Sequence, residues 1–491
     1  MKLLSLSFKL ALGWQNGEIV MYKEKIDQYI DSQKEQMVED LKSLVRIDSQ
    51  KTEAKPGKPF GEGAASVLEA GIRLMERAGL STRNYENYVI VGDLYPEKEK
   101  QLDILAHLDV VPVSEDWTVT APFDPKVVDG KIYGRGTADD KGPAIAALYA
   151  MKAVKDLEIP LKKGVRLILG SDEECGSSDL EYYYGQEKEA PMSFTPDADF
   201  PLINLEKGAL HKTFEASFEE GKELPRILSV DGGLKVNVVP GKAVAVVEGI
   251  SKDLLVAAAN EAEQEQHVQI QWKEAEGKTK IEVKGVSAHA STPDQGVNAV
   301  TALLKLLQKL PFAPCAGVEK LNRVLSLFPH GETDGTSLGV KMEDEISGAL
   351  TMNLGIFHFE PTHLEGMFDS RIPVCGNDEN MTKVVTKVLE ENGFAVESGM
   401  MSQPHYVDPS SDLVQKLLAC FEAYTGIQGQ PLAIGGGTYV HHLKNGVAFG
   451  CAMPGVDNAM HGDNEFMELD TLFMSAKIFA NAIVALCGVE E

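Results

Sequence analysis

The sequence is poor in cysteine, in positive charge and in long apolar runs, and each shortage argues against a class of protein. Its 491 residues include six cysteines and no C-x-x-C pair, so we expect reduced thiols, which are typical of a cytoplasmic protein. Lys and Arg number 47 against 74 Asp and Glu, a formal charge of −27, which argues against a nucleic-acid partner. No apolar run approaches the ~18 residues that span a bilayer, and no basic cluster predicts a membrane anchor.

The N-terminus does not resemble a working signal peptide. Residues 1–20 contain a short apolar run, but Lys9 interrupts it and no A-x-A-like cleavage site follows. The helical pattern begins near Met21. We therefore expect residues 1–20 to be a non-native or disordered extension, and we hypothesise that translation begins at Met21.

The rest of the chain predicts two domains with different patterns of secondary structure. Short apolar strands alternate with helices up to about residue 205, for example strand 102–106 and strand 165–170, and this alternation predicts an α/β domain. Residues 206–403 mix short strands and helices and are predicted to be an inserted α+β domain. The first pattern then returns, so we assign 21–205 and 404–491 to one domain.

The sequence is organised around residues 133–143, YGRGTADDKGP. Its glycines permit a tight loop and its proline suits a helix start, so Asp139 and Asp140 are expected at a helix N-terminus, where negative charge is favoured. Alone, such a pair could be a solvated turn. His107, Glu173 and Glu174 change this interpretation, because they follow predicted strands, and ligands bind at the carboxyl ends of strands in open α/β sheets.

Adjacent carboxylates at buried strand ends are costly unless a cation or a proton offsets their charge. Zinc accepts both histidine and carboxylate ligands, and a shared carboxylate suggests two ions. The candidate metal ligands are His107, Asp139, Glu174, Asp197 and His461. In such a site Asp109 would hydrogen-bond the second ring nitrogen of His107.

Several motifs, in this order, resemble the dizinc aminoacylase/glutamate-carboxypeptidase family, and within it the bacterial monomeric Xaa-His dipeptidases (dipeptidase V, carnosinase-like). The similarity runs from about residue 22 to the end of the chain. The motifs are His107-x-Asp109, GRGTADDKG, DEECG, SFTPDADFP, residues 285–293 around His289, IGGGTY at 434–439, and Met460-His461 before Asn464-Glu465-Phe466.

The resemblance implies a mixed-sheet zinc-peptidase catalytic domain with an inserted α+β lid domain. It also implies two Zn²⁺ ions per subunit, with Mn²⁺ or Co²⁺ as possible substitutes. Asp139 would bridge both ions, with His107 and Asp197 completing one site and Glu174 and His461 the other. The Asp139–Asp140 peptide is expected to be cis.

The same resemblance implies the catalytic roles. Glu173 would be the general base that takes a proton from a metal-bridging water, and Asp109 would orient His107. His289 would reach over the active site from the lid. Asn237 and Arg371 would contact the C-terminal half of the substrate, although either could instead be structural, as a turn residue or a strand-end salt bridge. Backbone groups around Gly436 could approach a ligand closely because glycine lacks a Cβ atom.

The predicted activity is hydrolysis of unblocked dipeptides, Xaa-His or a broader set. An N-acyl-amino-acid deacylase of the same fold stays open as an alternative, as does a non-catalytic binding protein. The resemblance implies that many relatives have a small lid through which they dimerise, and that the partner subunit supplies the histidine that reaches over the active site. Because the insertion here is long enough for two lid-sized halves, we expect its second half to take the place of the partner's lid. His289 would then act within its own chain, and the protein would be a cytoplasmic monomer.

Overall fold

The computed structural model describes residues 2–490, and side chains are described for residues 22–490, so the predicted extension at residues 1–20 lies outside the described side chains. The helices are α1 (Lys2–Val45), α2 (Glu62–Arg77), α3 (Lys141–Asp156), α4 (Ser178–Tyr184), α5 (Lys252–Gln266), α6 (Ala299–Gln308), α7 (Ala316–Leu327), α8 (Thr382–Glu391), α9 (Asp412–Thr425) and α10 (Leu469–Cys487). Single 3-10 turns cover Glu173–Cys175, Pro293–Gln295, Thr336–Leu338 and Tyr439–His442.

The strands, in chain order, are short in the first part of the chain and longer in the middle. They are β1 (Ser81–Tyr85), β2 (Val89–Leu94), β3 (Lys100–His107), β4 (Lys126–Val128), β5 (Lys131–Tyr133), β6 (Gly164–Gly170), β7 (Met192–Thr195), β8 (Ala198–Asp199), β9 (Ile203–Glu206), β10 (Gly208–Ser217), β11 (Arg226–Gly232), β12 (Lys242–Glu248), β13 (Gln269–Ala275), β14 (Lys278–Lys284), β15 (Glu343–Asp344), β16 (Gly348–Ala349), β17 (Thr351–Glu360), β18 (His363–Ile372), β19 (Ala395–Val396), β20 (His405–Tyr406), β21 (Leu432–Ile434), β22 (Gly446–Ala448), β23 (Cys451–Ala452) and β24 (Phe466–Glu468).

The chain forms two compact units. The first comprises Met1–Leu205 with Tyr406–Glu491, and the second is Glu206–His405; the sequence placed the insertion at 206–403. The first unit contains a nine-stranded mixed sheet in the order β1-β2-β6-β3-β7-β22-β9-β20, with β21 paired to β9. Its centre, β6-β3-β7-β22, is parallel. The carboxyl ends of these central strands therefore meet at one edge of the sheet.

Helix α10 lies in the core of the first unit, where it packs against α1, α3 and α9. By length and composition it could cross a membrane, with a mean hydropathy of 1.5 over its apolar stretch; the sequence alone did not reveal it, because Asp470 and Lys477 interrupt its apolar residues. However, 78% of its apolar stretch is buried inside the protein, as expected for the core helix of a globular domain. The six cysteines all lie within the described residues, and none forms a disulfide.

The second unit is built on an eight-stranded sheet in the order β13-β14-β12-β11-β17-β18-β10-β19. The pairs that are described between its strands are antiparallel. The sheet consists of two four-stranded halves that meet where β11 pairs with β17. Buried and more exposed residues alternate along the strands, so one face of the sheet packs on the apolar core. In β12, for example, Ala243, Ala245 and Val247 are buried. The predicted α/β class with an inserted α+β domain is confirmed.

The strands and helix that were expected to carry the site form at the expected places. The strands predicted at 102–106 and 165–170 are β3 and β6, and the helix predicted after Asp140 is α3. The sequence does not predict β10 and β18, because both mix glycine and charged residues with apolar ones. Their ten-residue pairing is fixed by contacts between distant segments, which propensity cannot reveal.

Candidate metal centre

Three candidate ligands follow the parallel strands at the same edge of the sheet. β3 ends at His107, and β7 leads to Asp197 two residues beyond its end. β6 leads to Glu174 through Ser171 and Asp172. His107 lies opposite Gly170 in the register of β3 and β6. The histidine is therefore adjacent to the start of residues 171–174, which we call the acidic turn.

Two loops of the first unit supply the remaining candidates. Asp139 lies on the loop between β5 and α3, where Gly136 has φ +87° and the chain turns sharply. His461 lies on the loop before β24 and has φ +60°, a left-handed conformation that is uncommon for a residue other than glycine. Such backbone conformations cluster at binding and catalytic sites.

The five candidates form two ligand groups that share Asp139. The first is His107, Asp139 and Asp197, and the second is Asp139, Glu174 and His461; within each group the ligand atoms lie within 4.8 Å of one another. His107 Nε2 is 2.9 Å from Asp139 Oδ1 and 3.6 Å from Asp197 Oδ2. His461 Nε2 is 2.8 Å from Asp139 Oδ2 and 3.3 Å from Glu174 Oε1. The two oxygens of Asp139 thus face different groups.

Asp109 is buried between the histidine and the acidic turn. Its backbone oxygen is 3.2 Å from His107 Nδ1 and its carboxylate is 3.4 Å from the same atom. The carboxylate also accepts hydrogen bonds from the backbone N–H groups of Glu173 at 3.3 Å and Glu174 at 3.1 Å. Asp109 therefore contacts the ring of His107 and holds the turn that carries both glutamates; that it orients His107 as a metal ligand stays a prediction.

A buried ion pair that the sequence alone does not reveal fixes the loop of Asp139. Glu465 accepts hydrogen bonds from the backbone N–H groups of Gly136, Ala138 and Asp139 and pairs with Arg135 at 2.6 Å. Arg135 also donates to the backbone oxygen of Gly462 at 3.0 Å, next to His461. Both residues lie inside the quoted motifs, but only the tertiary structure brings them together.

The peptide bond between Asp139 and Asp140 is cis, as the resemblance implied. Asp140 is fully buried; its Oδ2 atom accepts a hydrogen bond from the backbone N–H of His107 at 3.0 Å. The two adjacent carboxylates therefore have different roles: Asp139 faces the ligand groups, while Asp140 ties the loop to the end of β3.

Burial and crowding of like charges perturb the acids of the site. Burial raises the pKa of Glu173 well above its ordinary value, and the neighbouring carboxylates Asp197 and Glu174 raise it further. Burial and the charge of Asp139 likewise raise the pKa of Asp197. The pKa of His461 is raised to about 10, first by Asp139 and then by Glu174. These shifts show a site with an excess of negative charge.

The residues present fit two bound cations. Three carboxylates and two imidazoles face one another at the sheet edge. Glu174 Oε1 is buried and has no well-aligned hydrogen bond among the described residues, although His461 Nε2 lies 3.3 Å away. A buried carboxylate oxygen without a well-aligned donor is costly, and a divalent cation would remove that cost. Imidazole and carboxylate donors suit zinc, and manganese and cobalt accept the same ligands.

A third group of potential donors lies on β10 and β18 of the second unit. It consists of Glu215, His363 and Glu365. Glu215 and His363 are 53% and 41% exposed, so water can solvate these charges and no buried charge requires a cation there. The candidate metal centre is therefore the pair of groups that share Asp139.

Comparison with known proteins gives a consistent result. Residues 104–485 match the model of Peptidase family M20/M25/M40. The chain is 35% identical over 460 residues to a Bacillus subtilis (strain 168) protein named "Putative dipeptidase YtjP", covering 92% of this chain and 97% of that protein. The chain belongs to the M20 peptidase family.

Solved structures share the fold. Human carnosine dipeptidase 1 superposes with a TM-score of 0.60 at 16% identity, covering 95% of this chain and 99% of that one. The dipeptidase Dug1p of Saccharomyces cerevisiae superposes with a TM-score of 0.57 at 14% identity, covering 96% and 99%. The fold is therefore that of an M20 peptidase, a metallopeptidase with a catalytic domain and an inserted lid domain, as the sequence predicted.

The remaining predicted residues of this M20 peptidase are distributed over both units. Gly436 lies in the first unit on the loop before the turn Tyr439–His442. Asn237, His289 and Arg371 lie in the second unit, where Val238 and His289 form a β-bridge and the Ala290 N–H donates to Asn237 O at 2.9 Å. The structure thus brings Asn237 and His289 together; Arg371 lies on β18.

Proposed function

We propose that the chain is a dinuclear metallo-dipeptidase that hydrolyses the peptide bond of small unblocked dipeptides. The observation that carries the proposal is the pair of ligand groups sharing Asp139, with the partly buried acid Glu173 on the same turn as the candidate ligand Glu174. Membership of the M20 family and the dipeptidase names of relatives support the reaction class. The composition supports a cytoplasmic enzyme without a nucleic-acid or membrane partner.

In this proposal His107 and Asp197 would hold one ion, Glu174 and His461 would hold the other, and Asp139 would be shared by both. When bound, two such ions would polarise the scissile carbonyl and lower the pKa of a water molecule towards neutrality. Asp109 and Glu465 would keep the ligands in place, because each accepts hydrogen bonds from backbone N–H groups of a ligand-bearing segment.

Glu173 is proposed as the general base. It belongs to neither ligand group among the described residues, yet it shares the turn with the ligand Glu174. Its carboxylate would take a proton from the attacking water and return it to the leaving amine. Burial and the adjacent acids raise its pKa, which favours a group that must both accept and release a proton near neutral pH.

His289 is proposed to stabilise the oxyanion that develops on the carbonyl oxygen. Its Nδ1 atom accepts a hydrogen bond from the backbone N–H of Ser291 at 3.2 Å and lies 2.7 Å from Ser291 Oγ. This arrangement places the ring proton of the neutral histidine on Nε2, which can then donate to an oxyanion. Asn237, whose backbone oxygen accepts from Ala290 N–H, is proposed as a neighbouring substrate contact.

Arg371 is proposed to bind the C-terminal carboxylate of the dipeptide. Its Nε and one terminal nitrogen donate to the two oxygens of Asp369 at 2.8 and 2.7 Å, and Asp369 is fully buried. A guanidinium held in this way is oriented before substrate arrives, which reduces the entropy cost of a carboxylate contact. Backbone groups around Gly436 would contact the substrate from the first unit.

We also propose that the protein acts as a monomer, with His289 serving the metal centre of its own chain. The two four-stranded halves of the second unit's sheet support this proposal, since the sequence predicts an insertion made of two lid-sized halves. Mixing a His289→Ala protein with a Glu173→Ala protein tests it. Recovery of activity on mixing, together with a dimeric mass in solution, would contradict the proposal.

Dipeptide hydrolysis by the metal-reconstituted protein tests the function itself. A library of free dipeptides, including Xaa-His members, should be hydrolysed, while the N-acetylated forms should not. Chelation should abolish the activity, and added Zn²⁺ or Mn²⁺ should restore it. Preferential hydrolysis of the acetylated compounds would favour the deacylase alternative, and full activity of protein shown by elemental analysis to be metal-free would contradict the mechanism.

A further inference from the structure

The hydroxyl of Tyr439 belongs to a buried hydrogen-bond network close to the metal centre. Tyr439 is 1% exposed, and its ring lies edge-on to the ring of His107 with centroids 6.2 Å apart. Its hydroxyl donates to Asp179 Oδ2 at 2.5 Å. Tyr439 is therefore placed beside a proposed ligand without offering a donor atom to either ligand group among the described residues.

Asp179 connects this hydroxyl to the segment that carries the proposed base. The same Oδ2 atom accepts hydrogen bonds from the backbone N–H groups of Ser171 at 2.6 Å and Asp172 at 2.9 Å, and Oδ1 accepts from Leu180 N–H at 2.8 Å. Ser171 and Asp172 are the two residues between the end of β6 and Glu173. Asp179 thus holds the beginning of the acidic turn from one side, while Asp109 holds its end from the other.

The glycine at the end of β6 is explained by this network. A Cβ atom at Gly170 would overlap both the Tyr439 hydroxyl and Asp179 Oδ2. The backbone at Gly170 therefore contacts the Tyr439–Asp179 hydrogen bond directly. The end of β6, the acidic turn and Tyr439 pack closely, with no room for a side chain at position 170.

We infer that Tyr439 and Asp179 are positioning residues that hold Glu173 in its reactive place and couple it to the loop of Gly436. Tyr439 follows that loop directly, so its hydrogen bond to Asp179 ties the proposed substrate loop to the turn of the proposed base. The inference rests on the proposed function, since it assigns the pair a role in the same reaction. Neither residue touches the reacting atoms.

Tyr439→Phe removes one oxygen atom and tests the inference. Loss of the donor would loosen the acidic turn, and since misplacing a catalytic group by about 1 Å can cost about 100-fold in rate, we expect kcat to fall about 10- to 100-fold. The KM for a dipeptide should change less than about threefold, and two metal ions per chain should be retained, because no ligand is altered.

Tyr183→Phe is the matched control. Tyr183 is fully buried in the same apolar cluster, on α4 next to Asp179, but its hydroxyl has no hydrogen-bond partner among the described residues. Its replacement removes the same atom from the same core without breaking the network, so kcat should stay within about twofold of the wild type. Equal effects of both substitutions on kcat would overturn the inference, as would loss of a metal ion from the Tyr439 variant.

Hydrogen exchange gives a readout that does not depend on activity. In Tyr439→Phe, the amides of residues 171–174 should exchange about tenfold faster than in the wild type or in Tyr183→Phe, as expected for the loss of one hydrogen bond to a shared acceptor. Asp179→Asn should give the same pattern, and the double variant should exceed the stronger single variant by less than about twofold. Unchanged exchange in both single variants would overturn the inference, whereas a wild type without dipeptidase activity would contradict only the proposed function.

Discussion

Replacing Glu465 by glutamine should destabilise the first unit strongly. Glu465 is fully buried, accepts three backbone hydrogen bonds and pairs with buried Arg135. The pKa of Glu465 is raised, first by burial and then by Asp139, and Arg135 and the backbone donors oppose this shift. Four donors to one side chain favour its ionised form. The glutamine amide would leave the charge of Arg135 uncompensated and turn its own N–H groups towards donors. Breaking a buried pair in this way costs about 3–5 kcal/mol.

Urea unfolding of the metal-free protein measures this loss. A Trp272→Phe background removes the tryptophan of the second unit, so that fluorescence reports on the first, where Trp117 lies 5.4 Å from the Arg135 guanidinium. With an m-value of about 3 kcal/mol/M, the midpoint should fall by about 1–1.7 M. Metal affinity should also drop about 10- to 100-fold, because the N–H of Asp139 loses its acceptor.

Glu468→Gln is the control, since it lies three residues further on and its pairing with Lys131 is long, at 3.8 Å, and half-exposed. Such a pair contributes about 0–1 kcal/mol. If Glu465→Gln lowered the free energy of unfolding no more than Glu468→Gln, the argument that the buried pair fixes the Asp139 loop would be refuted.

Three further predictions address the base, the glycine loop and pH. Glu173→Gln should keep both metal ions and lower turnover about 10²–10⁴-fold; loss of an ion with activity per ion retained would reverse the roles of Glu173 and Glu174. Gly436→Ala should leave the unfolding midpoint unchanged, because the new Cβ would meet nothing closer than Ile434 Cδ1 at 3.9 Å. It should raise the KM for dipeptides, and an unchanged KM would exclude a close approach of the substrate to Gly436. Burial opposes ionisation of Asp344, but hydrogen bonds from neighbouring N–H and O–H groups lower its pKa from 3.8 to about 2. Above about pH 4 this carboxylate should therefore stabilise the fold by about 1–2 kcal/mol, after allowance for its exposure. The wild type should be more stable than Asp344→Asn by this amount, and the difference should disappear as pH falls towards about 2. A pH-independent difference in urea midpoints would contradict this reasoning.

The sequence by itself determined the class of the fold and which residues could form the metal centre. Short apolar strands followed directly by polar residues predicted an α/β sheet with ligands at its carboxyl edge, and β3 and β6 end where that pattern ends. These features are local, because strand and helix periodicity and the turn chemistry around Asp139 depend on residues that are adjacent in the chain. The roles assigned to individual ligands came from motif order and stay predictions.

Only the tertiary structure decided which distant residues support the site. Glu465 lies 330 positions after Arg135, and Tyr439 lies 260 positions after Asp179, so no periodicity or local propensity relates them. Each pair is buried, and buried polar groups must find partners wherever the fold places them. The same holds for β10 and β18, whose long pairing depends on segments about 150 residues apart. Contacts of this kind form only when folding closes the intervening chain. For that reason the sequence could name candidate ligands and the neighbouring Asp109, but not the distant residues Glu465 and Tyr439 that support the site.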